Sequence, residues 1–272
     1  KGFMIYLYGA YNTAVDFKNL VPMITVSLGV SALPALAEAW TMKDKAAVKS
    51  AVNTVIRVSM LIALPAGIGM GVLAEPILTL IYGRGRMAAD IPMIAPMVAV
   101  FGFTTAFMSI STPLTNLLQA VGRTDIPVKT MLVSAVVKII CNFALVGIPG
   151  INFNGAVIGT VLFYVINVIL NVIAVIKVTK VRIDIMSDLI KPLISAAMCG
   201  LAAWAAYGLL GNYVLKSVSH GADIALLAAI IIAVIVYAIA IIVFKGIVRE
   251  DIESLPAGEK IAKVLEKYEL LG

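Results

Sequence analysis

IALLAAIIIAVIVYAIAIIVF, residues 224–244, runs for 21 positions without a charge between Asp223 and Lys245. A bilayer hydrocarbon core about 30 Å thick is crossed by roughly 20 apolar residues of helix, so this stretch reads as a membrane span. Six more apolar stretches of similar length precede it. Together they predict spans near 11–38, 50–74, 91–117, 126–146, 154–177, 188–210 and 223–245. Composition agrees, with 61% hydrophobic residues, 13% charged residues and a mean hydropathy of +1.04. Such a surface does not suit water, and the expected fold is an all-α integral membrane protein. A transmembrane region is expected over 1–246 and an amphipathic tail over 247–272.

Charge is distributed by gap. After the first, third, fifth and seventh spans lie Lys43, Lys45, Lys49 and Arg57, then Arg123 and Lys129, then Lys177, Lys180, Arg182 and Lys191, then Lys245, Arg249, Lys260, Lys263 and Lys267. The opposite gaps hold Arg84, Arg86 and Lys216. Loops that retain Lys and Arg are the cytoplasmic ones, which predicts a cytoplasmic C-terminus and residue 1 on the outer side of a prokaryotic cell membrane. The net charge of +6 therefore reports topology and attraction to anionic membrane lipids, not nucleic acid. Lys1-Gly2-Phe3-Met4-Ile5-Tyr6 carries no signal-peptide pattern, and the chain reads as beginning within a protein. An odd number of spans with ends on opposite faces suits one half of a larger transporter.

Enzyme signatures are missing. His220 is the single histidine, no HExxH occurs, and Cys141 and Cys199 lie within spans, where they read as buried small residues rather than a disulfide or zinc site. Gly67-x-Gly69-x-Gly71 lies in an apolar span with no preceding strand, so close helix packing explains it better than a dinucleotide site. No catalysis, metal or cofactor is expected, and a coupling ion, Na+ or H+, is left open.

Polarity inside the spans carries the functional signal, because a charge at the bilayer centre costs about 2.5–3.5 kcal/mol on insertion scales. Asn12, Asp16, Asn19 and Ser27 fall on one face of the first span. Lys18, two residues from Asp16, points away from it on an ideal helix, although Pro22 removes a backbone bond nearby. In the fourth span Ser134, Lys138 and Asn142 follow i, i+4, i+8 spacing, and Lys138 lies near the midplane, either facing a cavity or held in a structural pair. Arg57 reads as an interfacial snorkelling residue. Tyr164, Asn167 and Asn171 share a face suited equally to helix–helix hydrogen bonding and to ligand contact. The third span, bracketed by Pro96 and Pro113, carries Thr104, Thr105, Ser109, Ser111, Thr112 and Thr115, whose hydroxyls either line a cavity or bond the preceding turn. The tail after Pro256 places Ile261, Val264, Leu265, Tyr268 and Leu271 at helical spacing, as in a helix on the inner membrane surface.

Four ordered blocks then show a resemblance: SLGVSALPALAEA (27–39), LPAGIGMGVLAEPIL (64–78), LQAVGRTDIPVK (118–129) and NGAVIGT (154–160). They resemble the C-terminal half of the polysaccharide-biosynthesis flippases. Within these the chain is most similar to the stage V sporulation protein B branch, related to the lipid II flippases and to the multidrug and oligosaccharidyl-lipid exporter superfamily; the LPAGEK tail (255–260) fits too. The resemblance implies about fourteen helices in two lobes around a central cavity, with this chain supplying the last seven and an N-terminal half as its partner. It also implies that an undecaprenyl-pyrophosphate-linked saccharide is moved by alternating access, the pyrophosphate being drawn to basic residues. Lipid II flippases place an essential arginine in the outer part of the helix that corresponds to the first span, and this chain has none there.

The cavity is accordingly expected to be built from Asn12, Asp16, Lys18 and Asn19, from Thr105, Ser109 and Thr112, and from Ser134, Lys138 and Asn142. Lys18 and Lys138 would attract the pyrophosphate, Asp16 would tune Lys18 or carry a coupling cation, and the third-span hydroxyls would contact sugar. Two other readings share the pattern. A cation-coupled multidrug exporter would favour acidic or aromatic cavity residues, and a non-transporting scaffold would hold Lys138 in a structural pair.

Overall fold

A computed structural model describes residues 2–31, 33–85, 87–148, 151, 153–181, 186–214 and 220–246. Its helices are α1 (Gly2–Ser31), α2 (Leu33–Thr41), α3 (Lys45–Val72), α4 (Ala74–Tyr82), α5 (Ile91–Ala120), α6 (Asp125–Val146), α7 (Phe153–Thr179), α8 (Lys191–Leu209) and α9 (Gly221–Val243), with π-helical turns at Met186–Ile190 and Leu210–Val214. No strand occurs among the described residues. Six helices, α3 and α5 to α9, are long and apolar enough to cross a membrane. α1 has the length, at 30 residues, but Asn12, Asp16, Lys18 and Asn19 lower its hydropathy.

The expected spans coincide with α3 and α5 to α9 within a few residues. The region of the first expected span, 11–38, is helical in α1 (Gly2–Ser31) and α2 (Leu33–Thr41), with residue 32 outside the described residues. The short α4, which follows α3 directly, was not anticipated. Asp44 caps α3, its carboxylate accepting from the Ala46 and Ala47 N–H groups at 3.0 and 3.1 Å. The expected amphipathic tail lies outside the described residues, as do Arg86, Arg182 and Lys216.

α5 is the central helix, packed against α1, α3, α4 and α7, and it buries Ile94, Val98, Phe101, Leu114, Leu117 and Leu118 almost completely. Hydrocarbon gives no hydrophobic drive for helices to associate, so close approach has to do it. Gly67 and Gly71 of α3 straddle Gly102 of α5: a Cβ on Gly67 would stand 2.6 Å from the Gly102 carbonyl oxygen, and one on Gly102 would strike the Gly71 backbone. Gly69, on the other face, would meet nothing within 4 Å. Gly155 and Gly159, in the NGAVIGT block, repeat the device between α7 and α6, against Leu145 and Asn142.

Two prolines leave carbonyls without their helical partner, and a hydroxyl from a neighbouring helix reaches each. Pro65 cannot bond the Leu61 carbonyl, and the Tyr237 hydroxyl of α9 donates to it at 2.8 Å. Pro22 likewise frees the Lys18 carbonyl, and the Thr105 hydroxyl lies 3.3 Å from it while donating to Phe101 O at 2.7 Å. The α8–α9 hairpin is also tied by ions. Arg57 Nε donates to Asp188 Oδ1 at 2.7 Å, with the two side chains 10% and 1% exposed, and Arg84 meets Asp223 at 2.7 Å at the opposite end. Arg57 is thus buried and paired rather than snorkelling, its partner 131 residues away in sequence. Outward faces are apolar, as lipid requires; on α6, Met131, Leu132, Val136, Ile139, Ile140 and Phe143 are exposed.

Thermal or denaturant unfolding in detergent should find Gly67→Ala and Gly102→Ala destabilised by about 1–3 kcal/mol, as in overpacked cores. Gly69→Ala should be neutral or stabilised by up to about 1 kcal/mol. Arg57→Ala or Asp188→Ala should each cost about 3–5 kcal/mol, since either strands a buried charge. The double variant should fall well short of the sum in the same assay.

Candidate functional site

α1 separates its polar residues. Asn12 and Asp16 are exposed and Asn19 is half-buried, whereas Lys18, about 200° around the helix from Asp16, is 7% exposed and faces the other helices. The Lys18 ammonium lies 5.7 Å from the ring centre of Phe101 on α5 and 5.2 Å from that of Tyr164 on α7. Lys138 of α6, half-buried, stands 5.8 Å from the ring of Phe163. Phe163 and Tyr164 are perpendicular, their centroids 5.0 Å apart, so one aromatic pair carries one cation on each ring.

Tyr11 closes the cluster from α1. Its ring meets Phe101 edge-on at 6.0 Å, and its hydroxyl is 3.4 Å from the Thr160 hydroxyl. Among the described residues neither Lys18 nor Lys138 makes an ion pair. A cation over a ring gains about 0.5–2 kcal/mol, less than the cost of placing a lysine at mid-membrane. Asn142, one turn beyond Lys138, keeps its Oδ1 buried with no hydrogen-bond partner among the described residues. The result is positive charge held over partly buried aromatic rings with no carboxylate partner among the described residues, which is an arrangement that attracts an anion.

Ser134 donates to Thr130 O at 2.8 Å and Thr104 to Val100 O at 2.9 Å. Ser109 is buried, and Thr112 is half-buried on the same helix. Asn167 and Asn171 resolve toward helix–helix bonding: Ser111 Oγ donates to Asn167 Oδ1 at 2.6 Å, Asn171 Nδ2 to the same oxygen at 3.1 Å, and Thr130 Oγ1 to Asn171 Oδ1 at 2.7 Å. This chain of bonds ties α5, α7 and α6 beside the lysines. The hydroxyls of Thr104, Thr105, Ser111 and Ser134 therefore have their protons committed within the protein. Ser27 lies in α1, its side chain outside the described residues.

Phe101, Phe163 and Tyr11 were not singled out from sequence. An aromatic residue within a span reads equally as lipid-facing or core, and only the packing of α1 against α5 and α7 reveals a lysine over its ring. Beside the cluster, an apolar groove of about 530 Å³ runs between α1, α3, α8 and α9, with Phe17, Leu20, Pro65, Met70, Cys199 and Tyr237 in its walls.

The family model described as lipid II flippase MurJ matches residues 9–222. Stage V sporulation protein B of Bacillus subtilis is 24% identical over 245 residues, 89% of this chain and 44% of that protein. A probable lipid II flippase MurJ of Bdellovibrio bacteriovorus is 27% identical over 139 residues, 50% of this chain and 27% of its own length. The solved structure of lipid II flippase MurJ in an inward closed conformation superposes with a TM-score of 0.59 at 18% identity, covering 88% of this chain and 46% of that one. The chain thus spans about half the length, or less, of these relatives. Its all-α, multi-pass architecture and the match along most of its length give one assignment: the chain belongs to the lipid II flippase MurJ family.

Proposed function

We infer that this chain forms the basic lobe of a flippase, a transporter and not an enzyme, which carries an undecaprenyl-pyrophosphate-linked saccharide across a prokaryotic cytoplasmic membrane by alternating access. The observation that carries this reading is the Lys18–Lys138 pair, held over Phe101, Tyr164 and Phe163 with no carboxylate partner among the described residues. A pyrophosphate supplies the missing counter-charge. Lysine offers it point charge and rotatable donors without the fixed fork of arginine. Asn142 lies a turn from Lys138 for a polar contact with the headgroup. The polyprenyl chain stays in the apolar groove that begins at Phe17, next to Lys18 in sequence.

The exposed stripe of Asn12 and Asp16 supports a water-filled path on the outer side of α1, where the remaining length of the relatives would supply the facing lobe. Asp16 serves there as a site for a coupling cation, Na+ or H+, more readily than as a partner of Lys18, which lies on the opposite face. Two like charges in the cluster disfavour the hydrophobic cations that a drug exporter would bind. A structural scaffold would have paired Lys138.

The concentration of basic residues at one end of the helices supports a cytoplasmic C-terminus. In a variant lacking Cys141 and Cys199, a membrane-impermeant maleimide applied to intact cells should label Arg84→Cys and spare Lys43→Cys; the reverse pattern inverts the topology. For the substrate, binding of undecaprenyl pyrophosphate to the purified chain should weaken by roughly tenfold or more in the Lys18→Ala, Lys138→Ala double variant, from the loss of charge-assisted contacts. Flipping of a fluorescent lipid-linked saccharide in proteoliposomes should fall with it. Undiminished binding in a correctly folded double variant overturns the reading.

A further inference from the structure

A second basic site lies at the other end of these helices, away from Lys18 and Lys138. Trp40 at the end of α2, Lys43, Lys45, Val48 and Lys49 around the start of α3, and the Val178–Val181 stretch ending α7 enclose a cavity of about 780 Å³. Four lysines, Lys43, Lys45, Lys49 and Lys180, stand at its rim, all exposed, while Val48 and Val181 are buried in its floor. None of the four makes an ion pair among the described residues. The nearest carboxylate in sequence, Asp44, is occupied as the α3 cap. Lys43 and Lys180 both hold left-handed backbone, with φ of 57° and 56°. A smaller cavity of about 500 Å³ shares Trp40 and Val178 and adds Lys177 and Arg123. There Arg123 is partly neutralised by Asp125 at 3.1 Å.

The cavity combines a rim of cations with an apolar floor and an indole between them, where helices α3 and α7 leave the membrane. Tryptophan favours that depth because its ring is apolar and its N–H polar. A free phosphate ester would use the rim and leave the floor idle; an amphiphile uses both. Basic pockets between transmembrane helices at the positively charged membrane face are suited to phospholipid headgroups. We propose that this cavity is a resident site for an anionic phospholipid, its phosphodiester among Lys43, Lys45, Lys49 and Lys180 and the upper part of one acyl chain against Trp40, Val48, Val178 and Val181. The site is separate from the substrate cluster and ties two helix ends, α3 and α7, to the anionic leaflet.

The two tryptophans make it measurable. Trp204 is 68% exposed on the lipid-facing surface, so a Trp204→Phe background leaves Trp40 as the reporter. The full chain is placed in phosphatidylcholine nanodiscs with an equal mole fraction of either phosphatidylglycerol or phosphatidylcholine brominated near the headgroup end of its acyl chains. Phosphatidylglycerol should quench Trp40 the more strongly, and the preference should shrink by roughly fivefold or more when all four lysines are changed to Gln. It should persist when all four are changed to Arg, and in Lys129→Gln, a loss of charge at the same membrane face outside the cavity. Lys180→Gln alone should lose part of it, which keeps the test decisive if the quadruple Gln variant does not fold. Equal quenching by the two lipids, or a preference that survives in a folded quadruple Gln variant, overturns the proposal. So does its abolition by excess soluble glycerol phosphate, which would make the occupant a free phosphate ester.

Discussion

The contact of Gly67 and Gly71 with Gly102 fixes how near α3 can come to α5, and the rest of the lobe is arranged around that distance. In lipid two helices gain nothing from hiding apolar surface, because the solvent is as apolar as their side chains. Association rests on dispersion between closely placed backbones, and a single Cβ at Gly102 would occupy the space of the Gly71 backbone. With α3 seated on one face, α5 turns Phe101 and Thr105 toward α1, where they meet the ring of Tyr11 and the Lys18 carbonyl. The basic cluster is therefore a product of helix packing several turns deep, not of a loop.

Polar groups within this lobe are handled in three distinct ways, and the energies explain the difference. Arg57 and Asp188 neutralise each other in a buried pair, where removing one partner would strand several kcal/mol of desolvated charge. Thr130, Asn171, Asn167 and Ser111 satisfy each other's donors and acceptors in a chain across three helices. Among the described residues Lys18 and Lys138 meet aromatic faces and no carboxylate, and such faces return a fraction of what burial costs. Strongly perturbed groups gather at functional sites more often than elsewhere, which is the physical ground for placing the proposed site at these two lysines.

Much of this was legible before any coordinates. Hydropathy located six spans closely because twenty-residue apolar runs have few other uses, and the glycines at 67 and 71 read as packing residues for the reason they pack. Lys18 and Lys138 stood out because a lysine in hydrocarbon is improbable. What escaped was pairing over distance. Asp188 sits 131 residues from Arg57, and nothing in the neighbourhood of either signals the other. The aromatic partners of the lysines were hidden among many apolar residues, and spacing left the hydroxyls of Thr104 and Thr105 open between lining a cavity and bonding the preceding turn, which they do.

The bond from Tyr237 to the Leu61 carbonyl has a mechanical consequence. Pro65 has opened α3 at that level, and if α9 withdrew, a bare carbonyl would face hydrocarbon at a cost of several kcal/mol. The ion pairs at the two ends of the α8–α9 hairpin restrain the same seam. α3, α8 and α9 are thereby joined into one stiff panel, hinged to nothing between its members. A rearrangement of these helices would run along the margins of that panel, where α1, α6 and α7 meet their surroundings, while the panel itself turned as a piece.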